Sequence, residues 1–553
     1  MLKNHPKGLA VLFLSNMGER FGYYTMMAIF VLFLEAKLGI GKESMGLIWS
    51  GFLTAIYALP LLGGVLADKI GYGKVITMGI VVMFIGYAAL AIPGSSEGML
   101  YASLFTIALG TGLFKGNVVV ILGNLYEEQG YKKMQDAAFN IFYMGINIGA
   151  FFAPYAATFL RDWILAQENL IYDKNLPGMC HSFLNGKLEN VDKFTEIAKQ
   201  QMGEVSMSLA EFANHYTEVL SSSYNAGFAV AALSMIVSLI IFIVFKKYYK
   251  HADYRHADKK DSGENVQVLT PAQTKERIIA LVLVFTAVIF FWMAFHQNGL
   301  VQTWFAKDYT VGEVGVFDKI FFDLPAFLAV IAGVIGLVFI VGKRFVGKMK
   351  AVGFGLLVAG VVVTYLRVNS FSDSNAITAE LFQSFNPIFV VFLTPIVIGV
   401  FAWLNKKKME PSSPKKIGIG MLLTAAAYVI MILASTGLQS PSSLENLGGV
   451  SPMLVGPYWL ISTYFVLTVA ELCLSPMGLS FVAKVSPPQY RGLMQGGWLG
   501  ATAIGNGLSG FISIPYANLE LWQTYGILIA TSLMSAIFVF SIIKRLERVT
   551  KGL

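Results

Sequence analysis

The chain has 553 residues, of which 56% are hydrophobic and only 13% are charged. Soluble domains carry about 25% charged residues, so this composition excludes an ordinary soluble protein and indicates a polytopic membrane protein. The net charge of +8 is explained by the distribution of Lys and Arg across a membrane, and it requires no nucleic-acid partner.

The sequence predicts fourteen membrane-spanning helices, since a span needs about 20 mostly apolar residues. The candidates are residues 8–34, 45–66, 75–93, 99–124, 137–160, 224–246, 277–305, 322–343, 348–367, 384–404, 415–434, 455–483, 491–515 and 521–545. The first of them carries Glu19 and Arg20 and lacks a small-residue cleavage site, so no cleavable signal peptide is predicted. The predicted fold class is an all-α polytopic membrane protein.

The basic residues predict that both termini are cytoplasmic. Most of the 41 Lys and Arg residues fall in the termini and in the loops that this topology places inside, including "NKKKMEPSSPKK" and "KRLERVTKGL". The predicted location is therefore the cell inner (plasma) membrane, with a multi-pass topology.

The spans divide into two predicted six-helix bundles. Residues 1–160 and 224–246 form the first bundle, and residues 277–305 and 384–553 form the second. A polar cytoplasmic linker at 247–276 joins them. This layout is expected of a transporter that rocks one half against the other.

Two further segments lie outside the bundles. Residues 161–223 form a predicted extracytoplasmic insertion with one or two amphipathic helices, interpreted as an inert cap. Residues 322–367 form an extra transmembrane hairpin, which lacks polar residues of the kind that line cavities and is interpreted as peripheral.

The cytoplasmic loop "GGVLADKIGYGK" joins the second and third spans. Its small residues allow close helix contact, and Asp68 stands at a helix end. The loop resembles a signature of the major facilitator superfamily, in which this segment latches the two halves in one state. The resemblance gives Asp68 a gating or structural role.

Four charged side chains lie well inside predicted spans. They are Glu19, Arg20, Lys115 and Glu471, and their charges sum to zero. A buried charge without a partner costs several kcal/mol, so the four are predicted to converge on one hydrated cavity near mid-membrane.

Other polar and aromatic residues are predicted to line the same cavity. Helical spacing places Asn16, Tyr23 and Tyr24 on one stripe with the first charged pair. The remaining candidates are Tyr57, Asn147, Trp292, His296, Gln297, Asn386, Ser475 and Trp498. Such a cavity suits a small zwitterion. Taken singly, the tryptophans fit packing residues equally well, and the amides fit bonds to neighbouring backbones.

Five motifs resemble the proton-coupled oligopeptide transporters, the POT or PTR family. They are "ERFGYY", "GLFKGN", "FYMGINIGAF", "FW" followed by "QNG", and "ELCLSPMGLS", in family order across both halves. The resemblance implies a major facilitator fold and import of di- and tripeptides by proton symport through alternating access.

The resemblance also implies roles for individual residues. Arg20 and Lys115 would hold the peptide carboxylate. Glu471, with Asn147 and Asn386, would hold the amine, and Glu471 would also pair with Lys115. The pocket residues would be Tyr23, Tyr24, Tyr57, Trp292 and Trp498. Glu19 would carry protons, with Glu471 as a second coupling acid.

The chain departs from the family pattern at three positions. Asn16 replaces the first acid of the family motif, Met27 replaces a base, and His296 replaces the acid that pairs with that base. His296 is either a proton carrier or a hydrogen-bonded wall residue. The extra hairpin also falls between family spans seven and eight, whereas bacterial relatives place two helices between the halves.

These departures leave alternative functions open. One is a family member with an altered substrate, such as an anion or a modified amino acid, or one that works by uniport or exchange. A less favoured hypothesis is a non-transporting sensor. The sequence shows no nucleotide-binding loop, nucleophile motif or metal cluster, so an enzyme, a metal site and a cofactor other than the coupling proton are not predicted. The expected partners are peptides, protons and the lipid bilayer, with a monomeric chain.

Overall fold

The computed structural model describes most of the chain. The described residues are 5–127, 131–203, 207–254, 269–342, 345–446, 449, 451–487 and 490–550. Part of the predicted linker, residues 255–268, lies outside them.

Helices α1 to α9 form the first bundle and the insertion. Their bounds are α1 Lys7–Leu38, α2 Lys42–Ala58, α3 Pro60–Ile70, α4 Tyr72–Leu90, α5 Glu97–Leu125, α6 Gln135–Gln167, α7 Leu176–Leu184, α8 Val191–Met202 and α9 Leu209–Val244. Short 3₁₀ helices lie at Lys132–Met134, Lys246–Tyr248 and Lys250–Ala252.

Helices α10 to α22 form the second bundle and the extra hairpin. Their bounds are α10 Pro271–Phe295, α11 Val301–Tyr309, α12 Val316–Lys319, α13 Leu324–Val341, α14 Lys348–Val368, α15 Phe385–Lys406, α16 Ser413–Ala434, α17 Pro441–Asn446, α18 Tyr458–Val485, α19 Arg491–Phe511, α20 Ser513–Asn518, α21 Leu521–Ser541 and α22 Ile543–Thr550. Two 3₁₀ helices lie at His296–Gly299 and Ala379–Ser384, and strands β1 (Glu313–Val314) and β2 (Asn375–Ala376) pair antiparallel.

The all-α polytopic fold class is confirmed. Thirteen helical segments in the described part of the chain are long and apolar enough to cross a membrane. The remaining predicted span, 491–515, contains α19, whose many glycines and polar residues make it less apolar than the others. This helix packs closely on α2. A Cβ atom added at Gly46 or at Gly510 would collide with neighbouring atoms.

Two predicted spans are interrupted. The second breaks between α2 and α3, where Pro60 occupies the first turn of α3, a position that suits proline. The span predicted at 277–305 breaks at His296–Gly299, a 3₁₀ turn between α10 and α11. A 3₁₀ stretch inside a long helix often marks a hinge or a functional site.

Helices α6 and α9 both continue into the range 161–223, α6 as far as Gln167 and α9 from Leu209. The segment predicted to form one or two amphipathic surface helices, residues 192–220, forms α8 and the start of α9, and α7 lies outside it. Cys180 on α7 and Phe194 on α8 are fully buried, and both belong to the same continuous core as the first bundle. Cys180 and Cys473 are both free thiols.

The extra hairpin consists of α13 and α14, and the ring centroid of Phe327 on α13 lies 5.8 Å from that of Phe151 on α6. Its two helices approach each other closely, since a Cβ atom on Gly360 would lie 2.5 Å from the backbone oxygen of Ala329. Most of its large apolar side chains are exposed, as lipid-facing side chains must be.

Ion pairs join the two bundles at one end of the molecule. We call this the insertion end, because residues 161–223 lie there; the opposite end is the termini end. The pairs that cross the insertion end are Glu35 with Lys307, Lys42 with Asp308, and Arg161 with Glu380. The bundles are therefore closed against each other at this end.

Candidate substrate-binding cavity

Glu19 and Arg20 form a bidentate ion pair on α1. The guanidinium Nε donates to Glu19 Oε2 at 2.5 Å, and Nη2 donates to Oε1 at 2.7 Å. Both side chains are buried. Two parallel charge-assisted bonds neutralise the acid and the base, which explains how an apolar helix holds them.

Aromatic rings and an amide extend the polar stripe of α1. The Arg20 guanidinium lies 5.0 Å from the centroid of the Tyr23 ring, and the rings of Tyr23 and Tyr24 meet edge to face at 5.1 Å. Asn16 is buried one turn earlier, and its Nδ2 has no hydrogen-bond partner. An unsatisfied buried donor at this position leaves room for water or substrate.

Lys115 has an aromatic partner rather than an ionic one. Its Nζ lies 3.5 Å from the centroid of the Tyr57 ring, on α2. A cation over a tyrosine face gains a modest electrostatic attraction, which falls short of what a carboxylate supplies. The lysine charge is therefore not neutralised by an ion pair among the described residues.

Three neighbouring rings, of which two are stacked, lead from the first bundle to the second. The Tyr57 and His296 rings are 6.1 Å apart, and His296 stacks on Trp292 at 5.3 Å and 23°. Neither Trp292 Nε1 nor His296 Nε2, both buried atoms, has a hydrogen-bond partner within the described part of the chain. The 3₁₀ turn that follows α10 positions the imidazole at this wall.

Glu471 on α18 is held by an amide. Asn386 Nδ2 donates to Glu471 Oε2 at 3.2 Å and to Thr468 Oγ1 at 3.0 Å. One turn further along α18, the Ser475 hydroxyl is buried without a partner. This acid thus keeps acceptor capacity for a ligand.

Charged groups from both bundles lie around the same two tyrosines, Tyr24 and Tyr57. Lys115 lies within electrostatic reach of Glu19 and Arg20, and Glu471 lies within reach of Tyr24 and Tyr57. The direct Lys115–Glu471 ion pair is not formed, because each group has another partner. The cavity therefore presents a separate positive group and a separate negative group.

Three predicted site residues contact other residues of their own bundle: Asn147, Gln297 and Trp498. Asn147 Nδ2 donates to the backbone oxygen of Tyr143 at 3.1 Å. Gln297 Nε2 donates to the Met293 and Ser509 oxygens, each at 3.0 Å, and so ties α10 to α19.

Trp498 is buried against Gly478, where no Cβ would fit. Its contacts favour a packing role over a pocket role.

Asp68 is exposed at the termini end of α3. Its Oδ1 accepts a hydrogen bond from the Tyr72 hydroxyl at 2.6 Å, so its partner lies in the first bundle. A second acid caps the same turn, since Asp253 Oδ1 accepts from the Gly73 backbone N–H at 2.8 Å. In this structure the loop signature is held to its own bundle and to the start of the linker.

Buried charges at the insertion end were missed by the sequence reasoning. Arg161, Glu380, Lys307 and Asp308 are all less than a tenth exposed. Each lies at or beyond the end of a predicted span, where a charge is usually solvated. No signal within either segment indicates that residues 161 and 380 meet.

Comparison with known proteins decides the family. A family model described as the POT family matches residues 73–275 and 361–528, which is more than half of the chain. The chain belongs to the POT family. The predicted resemblance to the POT family and the predicted multi-pass membrane fold are confirmed.

Relatives align over nearly the whole chain. A peptide transporter of Yersinia enterocolitica is 26% identical over 530 residues, covering 92% of this chain and 87% of its own. Dipeptide and tripeptide permease A of Proteus mirabilis is 25% identical over 544 residues, covering 94% and 90%. These POT relatives are transporters, not enzymes.

Solved POT structures share the fold. A peptide transporter POT in complex with sulfate gives a TM-score of 0.67 at 22% identity, covering 99% of this chain and 96% of that chain. A POT family transporter in complex with 5-aminolevulinic acid gives 0.67 at 20% identity, covering 99% and 98%.

Proposed function

We propose that this POT protein is a secondary active transporter that imports di- and tripeptides by proton symport through alternating access. The observation that carries the proposal is the separation of Lys115 and Glu471. These two opposite charges come from different bundles, face one cavity and have no ionic partner among the described residues. A zwitterion whose ends reach both would neutralise both and draw the bundles together.

Each end of the peptide has a matched group. The carboxylate binds Lys115 and the guanidinium of Arg20, while the amine binds Glu471 beside Asn386. The rings of Tyr57 and Trp292 leave an apolar wall for variable side chains, which suits a carrier of many peptides. The peptide thus takes the place of the direct Lys115–Glu471 pair.

Proton coupling is proposed to run through Glu19. Both oxygens of this carboxylate are bonded to Arg20. A peptide carboxylate competes for the same guanidinium, and the released Glu19 then takes up a proton and becomes neutral. Glu471 and His296 are the further proton-coupling candidates, and the coupling ion is the only cofactor proposed.

The proposed orientation places the termini end in the cytoplasm. The basic termini and loops support it. The insertion end then faces outside, so the closed insertion end corresponds to a state closed to the exterior. The proposed location is the inner (plasma) membrane, where the chain works as a monomer in the lipid bilayer.

Uptake by purified protein in proteoliposomes tests this function. We expect a labelled dipeptide to accumulate above its external concentration only when the proton gradient points inward. A protonophore should abolish accumulation while leaving counterflow intact. Uptake that never exceeds equilibrium under any gradient would contradict symport, and absence of saturable uptake would contradict peptide transport.

A second candidate function follows from the three departures at Asn16, Met27 and His296. With two family carboxylates missing, the chain fits a facilitator or exchanger for a modified amino acid. The solved POT neighbour in complex with 5-aminolevulinic acid supports that class of substrate. A competition panel of dipeptides, tripeptides and 5-aminolevulinic acid in the same assay separates the two functions.

A further inference from the structure

The most deeply buried ion pair that joins the two bundles lies outside the cavity. Arg161, near the end of α6, donates from Nη1 to Glu380 Oε1 in the 3₁₀ helix before α15. Neither side chain is more than 1% exposed. The two residues are 219 positions apart and belong to different bundles, so the pair forms only when the insertion end is closed.

The other two guanidinium nitrogens of Arg161 also donate hydrogen bonds. Its Nε and Nη2 donate to Asp162 Oδ1 at 2.9 and 2.7 Å. The Tyr172 ring covers the guanidinium, with 3.5 Å between the ring centroid and Cζ. A pair enclosed in this way is shielded from water, which strengthens the attraction between its members.

Residues 170–175 tie the insertion to the second bundle beside this pair. Lys174 Nζ donates to the backbone oxygen of Thr310, at the end of α11, at 2.7 Å. The Asp173 backbone N–H donates to the Tyr216 hydroxyl on α9 at 3.0 Å, which anchors the segment to the first bundle. Burial lowers the pKa of Lys174, consistent with its enclosed position. We call residues 170–175 the strap.

Opening the insertion end has to separate these groups. A buried acid or base that loses its partner is strongly destabilised unless water reaches it, so closure and pairing are linked. The base and acid that form the family's outer gate are absent here, since Met27 and His296 stand in their places. The chain therefore requires another set of contacts to hold this end closed.

We propose that Arg161 and Glu380, covered by Tyr172 and held by the strap, form the gate that keeps the insertion end closed between transport cycles. This inference rests on the proposed alternating access. It assigns the insertion a working role, in place of the inert cap expected from the sequence. The strap ties movement of the insertion to movement of the second bundle.

A matched pair of the same chemistry provides the control. Arg367 donates to Asp323 at 2.6 Å, also at the insertion end, but both residues flank the extra hairpin within the second half. Both bonds of that pair lie within the second half, so its loss should leave the three ion pairs between the bundles in place. We therefore expect Asp323→Asn to leave the distance between the bundles unchanged and Glu380→Gln to increase it.

The test measures the distance between the bundles directly, in lipid nanodiscs without substrate. Spin labels are attached at Glu97→Cys and Phe317→Cys, two exposed positions at the insertion end, after Cys180 and Cys473 are replaced by Ala. We expect one dominant short distance in the parent protein and in Asp323→Asn. Glu380→Gln should raise the ratio of long to short distances by about tenfold or more.

A second variant keeps the test decisive if Glu380→Gln fails to fold. Lys174→Gln removes only the strap bond to Thr310, and we expect a shift in the same direction, by about threefold. Distance distributions identical to the parent in both folded variants would overturn the gate. A shift in Glu380→Gln alone would overturn the role of the strap. Because the readout requires no transport, failure of peptide uptake leaves this result interpretable.

Discussion

The ammonium of Lys115 lies 3.5 Å from the centre of the Tyr57 ring, with no ion pair to a carboxylate among the described residues. The tyrosine holds the lysine at the cavity without neutralising it. A lysine held in this way is ready to bind an incoming carboxylate. The same arrangement explains why Glu471 stays separate, since Asn386 occupies one of its oxygens.

Replacing Lys115 should remove most of the affinity for peptides. We expect Lys115→Gln to weaken dipeptide binding by about 30-fold or more, because a desolvated charge contact contributes about 2 kcal/mol or more. Titration calorimetry on the folded variant checks this, with Lys350→Gln, an exposed lysine of the hairpin, as the control. An unchanged dissociation constant would show that the carboxylate binds elsewhere.

Replacing Glu471 should affect only ligands that carry a free amine. We expect Glu471→Gln to weaken binding of a dipeptide by about 30-fold and to leave its N-acetylated form unaffected, since that form has no ammonium to pair. Competition against a labelled peptide measures both constants. Equal losses of affinity for the two ligands would show that Glu471 does not bind the peptide amine.

Restoring the missing acid should strengthen proton coupling. Asn16 is buried beside the Glu19–Arg20 pair with an unpartnered amide, so a carboxylate there adds a group that exchanges protons in the cavity. We expect Asn16→Glu to make uptake rise more steeply as the external pH falls. A pH profile that matches the parent protein would show that this position does not limit coupling.

Trp498 should matter for stability more than for binding. We expect Trp498→Ala to lower the melting temperature, because the indole fills the space over Gly478 and its loss leaves a cavity. Trp522→Ala is the control, since that side chain is more than half exposed. A folded Trp498→Ala variant with an unchanged melting temperature but lost peptide affinity would show that Trp498 contacts the peptide.

Much of the fold follows from local sequence. Long apolar runs predict spans because the bilayer requires continuous helix, and the motifs around Arg20, Lys115 and Glu471 place the cavity. Helix α19 was predicted as part of the span 491–515, although its glycines, which permit the contact with α2, also lower its apolarity. The break at His296–Gly299 was missed, since the flanking segments are apolar enough to read as one span.

The gate residues show where local sequence fails. Arg161 and Glu380 stand at the ends of apolar runs, where a charge is equally compatible with solvent and with a partner. Their burial depends on how the two bundles and the insertion pack together. That packing brings together residues more than 200 positions apart, which local sequence patterns do not reveal. Likewise, opposite charges in the sequence suggest a Lys115–Glu471 pair. In the structure Lys115 instead contacts Tyr57, and Glu471 accepts a hydrogen bond from Asn386.

A structure of the protein with a bound dipeptide tests the central claim most directly. The account predicts that the peptide carboxylate lies within about 4 Å of Lys115 Nζ and that the peptide amine lies within about 4 Å of a Glu471 oxygen. A dipeptide bound in the reverse direction, or held within one bundle without contact to the other, would contradict it.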